Sequence, residues 1–141
     1  MPKASSKSAV ATPKPVDEKI TINLGCVDLG QIDLLVQEGF YANRTDLIRT
    51  AIRNQIATHG ESVRQAVARK TLTLGIQYFS KDDLEALQAA GQKLEIRVLG
   101  LATIDPAVSP ELALATIESL TVLGALHAGP AVKAALRERI R

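Results

Sequence analysis

The stretch Lys19–Gly25, KITINLG, constrains this chain more than any other. Ile20, Ile22 and Leu24 alternate with Lys19, Thr21 and Asn23, the period-two pattern of a strand with one buried and one wet face. A strand has to place its backbone hydrogen bonds somewhere. The segments that follow, as far as Gly60, read as helix, so no neighbouring strand is at hand.

Asp28 is expected to cap the first of these helices, whose apolar positions Leu29, Ile32, Leu35 and Val36 share one face. Gly39 ends it, as a residue free to take the left-handed conformation. Asn43 is a good cap for the second helix, and Asp46, three residues on, completes a capping-box-like start. That helix carries Leu47, Ile48, Ala51, Ile52 and Ile56 on one side and Arg49 and Arg53 on another, the two arginines being expected as solvated residues. One strand and two short helices bury too little apolar surface to stand alone. The expected solution is a second copy: the strand pairs antiparallel with its twin, giving a two-stranded ribbon backed by four helices.

KITINLG, a short helix and then NRTDLIRTAIRNQI together resemble the ribbon-helix-helix family of the Arc, MetJ and CopG repressors, over residues 18–58. In that family the ribbon enters the DNA major groove and its outward side chains read base edges. The resemblance therefore implies that Lys19, Thr21 and Asn23 are the readers. Their chemistry fits, since Lys donates to guanine, Asn pairs in two places with adenine, and Thr bonds or lays its methyl on thymine. The resemblance further implies that Asn43, Arg44 and Thr45, at the start of the second helix, hold a DNA phosphate. The ribbon carries one cation per chain, Lys19.

Composition narrows the alternatives. Aromatic residues make up 3% of the 141 and Trp is missing, which disfavours a base-stacking surface for single strands. The single cysteine, Cys26, excludes an internal disulfide, and His59 and His127 beside it do not make a zinc set. No apolar run approaches a membrane span and no secretory block opens the chain, so a soluble cytoplasmic protein is expected, nucleoid-associated when bound to DNA. A net charge of +2 means that DNA contact must come from locally placed cations and backbone amides. Residues 1–18, rich in Ser, Ala, Pro and Lys, read as a disordered tail whose Lys3, Lys7 and Lys14 serve mainly solubility.

Beyond the ribbon-helix-helix span of 19–60, residues 61–70 read as a helical connector in which Val63, Ala66 and Val67 stand together. A pattern then recurs. Aligning TLTLGIQYF, EIRVLGLATI and SLTVLGALHA puts Gly75, Gly100 and Gly124 in register, 25 and 24 residues apart by their numbers. Each strand-like piece leads into a helix start: Ser80 with Asp83, Ser109 before Pro110, Gly129 before Pro130. Leu84 and Leu87, Leu112 and Ile117, and Val132 and Leu136 supply the buried sides. Residues 71–141 are thus expected to form a small β-α repeat domain, short and solenoid-like with parallel strands. The alternative is an ordinary small α/β domain with accidental glycine spacing.

The fold class expected is α+β: an N-terminal ribbon-helix-helix dimer followed by the repeat-like domain. No phosphate loop, carboxylate pair or nucleophile-base set is visible, and His59 and His127 lack suitable company, so neither an enzyme nor a cofactor is expected. The favoured function is a dimeric, sequence-specific repressor binding double-stranded DNA, with residues 71–141 serving oligomerisation or a protein or effector partner. Two alternatives are an antitoxin or partition-type adaptor whose C-terminal domain binds a partner protein, and a structural self-assembling protein.

Overall fold

The computed structural model of the chain describes residues 17–141, so the expected tail lies, up to residue 16, outside the described residues. Residues 17–25 carry neither helix nor strand within the single chain, and all are exposed. Three helices follow: α1 (Cys26–Gln37), α2 (Arg44–Thr58) and α3 (Gly60–Lys70).

Helix α1 starts two residues before the expected cap. Gly25, extended at φ −65° and ψ 150°, is the cap residue and offers no side-chain bond, while Asp28 sits inside the first turn, where its charge suits the helix dipole. The far end follows expectation. Gly39 takes φ +88°, its N–H donates to the Val36 carbonyl at 3.0 Å, and the Phe40 N–H donates to that of Leu35 at 3.0 Å. This left-handed closure releases the chain into α2. Helices α2 and α3 meet at His59, and α3 ends at Thr71, itself left-handed at φ +55°.

Three parallel strands complete the chain: β1 (Thr73–Phe79), β2 (Leu94–Ile104) and β3 (Ile117–His127), in the order β1-β2-β3. A helix follows each strand: α4 (Lys81–Ala89), α5 (Pro110–Thr116) and α6 (Pro130–Ala135). The starts of α4 and α5 are capped as their sequences imply. The Ser80 hydroxyl accepts from the Asp83 N–H, and that of Ser109 from the Leu112 N–H, each at 3.1 Å. Ile117, expected on the side of a helix, instead opens β3, and it is fully buried there.

The core lies between the sheet and these helices. Ile96, Val98, Ala102 and Ile104 from β2 and Leu120 from β3 pack with Leu84, Leu112, Val132 and Leu136. Arg139 locks the last turn onto this layer, donating from Nη1 to the carbonyls of Leu114 (2.6 Å) and Ile117 (2.7 Å). Gly75, Gly100 and Gly124 pair with one another across the strands at φ +124°, +141° and +124°. A Cβ on Gly100 would run into the Gly75 carbonyl oxygen, and one on Gly124 into that of Gly100. The glycine spacing is therefore a steric requirement of the stack. Arg97 links the two parts of the chain, donating to the Lys70 carbonyl at the end of α3 (3.2 Å) and to Glu95 (3.1 Å).

Candidate nucleic-acid interface

The two sets of residues expected to meet DNA stand on different elements. Lys19, Thr21 and Asn23 lie on the extended segment before α1, with their side chains exposed. Ile20, Ile22 and Leu24, on the opposite parity, are exposed as well, at 74%, 59% and 42%. The alternation is present, but within one chain its apolar face is left uncovered.

Asn43, Arg44 and Thr45 are gathered at the start of α2, which the sequence builds from local bonds alone. Asn43 Oδ1 accepts from the Asp46 N–H at 2.8 Å, and Asp46 Oδ2 accepts from the Ala42 N–H at 3.0 Å, one residue short of the usual reciprocal partner. The amides of Arg44 and Thr45 belong to the first turn, where no intrahelical carbonyl reaches them. With the positive end of the helix dipole behind them they form a site suited to an anion.

Arg44 has a partner on α1 that its sequence position does not reveal. Its Nε donates to Asp33 Oδ1 at 2.7 Å and its Nη2 to Asp33 Oδ2 at 2.8 Å, a two-pronged bridge from α2 to α1. That hydrogen bond, reinforced by the guanidinium charge, holds the Asp33 carboxyl below its ordinary range against the opposing effect of desolvation, and the same bond raises Arg44. Both groups are about half exposed, so water screens the pair and its value is mostly geometric. It spans the turn that joins α1 to α2. The signal was available only as an acid on α1 and a base at the first position of α2, with the separation set by the turn at Gly39.

Arg49 and Arg53 are exposed on α2, as expected for solvated residues. His127, which lacks any evident partner in the sequence, meets one: its Nε2 lies 2.6 Å from Glu18 Oε1. A carboxylate only accepts, so the imidazole Nε2 carries the proton. Among the described residues no group of His, Cys, Asp and Glu is arranged to hold a metal, and no helix is long and apolar enough to cross a membrane.

A comparison with protein-family models matches residues 15–133 to a family described as a ribbon-helix-helix transcriptional regulator family. The match extends far past residue 58, through the parallel sheet and into α6, so the C-terminal half belongs to the family pattern. Searches of curated proteins and of solved structures return no match.

Proposed function

The chain belongs to the ribbon-helix-helix transcriptional regulator family, and from that premise we propose that it is a dimeric, sequence-specific repressor. Residues 19–25 of two copies pair as an antiparallel ribbon in the major groove of double-stranded DNA. Lys19, Thr21 and Asn23 read base edges, and the first turn of α2 at Asn43, Arg44 and Thr45 seats a backbone phosphate.

One observation carries this reading: none of the helices α1, α2 and α3 contains a buried residue, and the apolar face of residues 20–24 is exposed. Such a unit reaches a stable state only by covering those side chains, and a second copy of the same strand supplies both the missing hydrogen bonds and the missing cover. The engagement of Arg44 by Asp33 refines the phosphate site. In this reading the anion is held chiefly by the backbone amides, and Arg44 orients them while its charge adds attraction.

The C-terminal half, a stack of β-α units in which α4, α5 and α6 line one face, serves oligomerisation or partner binding. The exposure of Leu74 (71%), Ile76 (65%) and Leu123 (48%) on the sheet supports this role.

A selection on random duplex DNA tests the reading, run in parallel with the double variant Thr21→Ala, Asn23→Ala. An inverted or tandem repeat enriched by the native protein and lost with the variant is the expected result. Equal enrichment by both proteins would remove the ribbon as the reader, and no enrichment by a protein shown to be dimeric would remove the DNA-binding reading.

A further inference from the structure

Parallel sheets are normally covered on both faces. Here, among the described residues, the helices cover only one; on the other Leu74, Ile76, Tyr78 and Leu123 stay exposed, while Leu101 on the central strand is buried. Strand alternation and register place Leu74, Leu99 and Leu123 in one row of the other face, and Ile76, Leu101 and Ala125 in the next. Between the rows runs the backbone of Gly75, Gly100 and Gly124, and these residues help to line a cleft of about 550 Å³ on this face. Tyr78, Thr103 and His127 form the row at the C-terminal ends of the strands.

The chain's own ribbon segment lies at this cleft. Glu18 and Ile20 help to line it, and Glu18 is anchored by the hydrogen bond from His127, whose side chain is only 15% exposed. We propose that this open face is a seat for the unpaired ribbon strand, occupied by residues 18–20 of the same chain and vacated when two chains pair. The inference rests on the ribbon reading for its competing state. In a dimer Ile20 faces the helices beneath the ribbon, and one side chain cannot occupy both places.

The magnitudes describe a weak seat. Ile20 stays 74% exposed on the sheet, so little apolar area is removed from water. The anchor is one hydrogen bond to a carboxylate that is 53% exposed. Such a contact biases the equilibrium without blocking it, which suits a strand that must be released. An unpaired strand with an apolar face is a template for wrong pairing, and a transient seat keeps it from other edges. The C-terminal half would thus set the concentration at which the regulator assembles.

The test compares His127→Ala and Glu18→Ala with the native full-length chain by sedimentation. Each variant removes a contact worth about threefold per chain and should tighten the dimer by up to about ninefold, because both chains give up the seat on pairing, and the double variant should gain no more than either single one, because both remove the same bond. Unchanged or weaker dimers in both single variants would overturn the proposal. If the native chain stays monomeric throughout, the ribbon reading fails, and the seat is read separately by linking Glu18→Cys to His127→Cys with a short bismaleimide in a Cys26→Ser background. Efficient linkage within a single chain would keep the seat, and failure to link would dismiss it.

Discussion

Residues 17–70 and residues 73–141 use the same kinds of apolar side chain to opposite ends. In the second region Leu84, Ile104, Ile117, Leu120 and Leu136 are almost wholly removed from water within one chain. In the first, Ile20, Val27, Phe40 and Ile56 remain largely exposed, and the helices have no buried position. Three β-α units stacked in register form a layer deep enough to enclose a core, whereas a lone strand and a helical pair do not. Half of this molecule is therefore folded by its own contacts, and the other half leaves its apolar side chains uncovered within one chain.

The comparison is broken most severely through the glycine row. Gly100→Ala combines a left-handed backbone with a collision against the Gly75 carbonyl, and a loss of about 3 kcal/mol or more is expected in chemical denaturation followed by far-UV circular dichroism. The loss should be independent of protein concentration. A mild effect would mean that the stack tolerates spreading and is not close-packed at its centre.

Ile22→Ser acts on the other half. Removing an isoleucine from the ribbon should weaken dimerisation by about 1.5–3 kcal/mol per buried copy, with the monomer-dimer equilibrium followed by sedimentation. The unfolding of α1 and α2 should become more concentration-dependent, while that of the sheet stays put. Dimers as strong as the native ones would show that this face of the segment is not an interface.

Asn23→Ala sharpens the assignment of readers within that half. It should erase discrimination at one base pair by about 1–3 kcal/mol in competition binding, whereas Arg44→Ala should weaken binding to every sequence alike and flatten its salt dependence. Exchange of these two behaviours would exchange the roles of ribbon and helix start.

The smallest effect is expected at the Asp33–Arg44 bridge. Folding lowers the Asp33 carboxyl from an ordinary value of 3.8, so the contribution of the pair is complete above that value and is lost as pH falls through the lower, folded one. Titration of the Asp33 carboxyl carbon by NMR should show the depressed midpoint, and Arg44→Ala should return it to the ordinary range. An unshifted Asp33 in the native chain would mean that the bridge does not hold α1 against α2 in solution.

What the sequence by itself determined was local. The Gly39 closure, the cap at Asn43 and the serine caps of α4 and α5 are set by residues a few positions apart, and Gly75, Gly100 and Gly124 are legible from their even spacing in similar strand-like pieces. The start of α1 is not legible in the sequence, because Asp28 is as good a first-turn residue as it is a cap, and one sequence does not separate the two. The element that carries Ile117 is not legible either, because an apolar residue due for burial suits the end of a helix and the start of a strand alike. Only the tertiary structure decided that Asp33 would claim Arg44 across a turn, that Glu18 would meet His127 at a separation of 109 residues, and that Leu74, Ile76 and Leu123 would stay exposed on the sheet. Those outcomes depend on the relative placement of elements, and placement is set by the packing of whole faces, a quantity that no short window of residues contains.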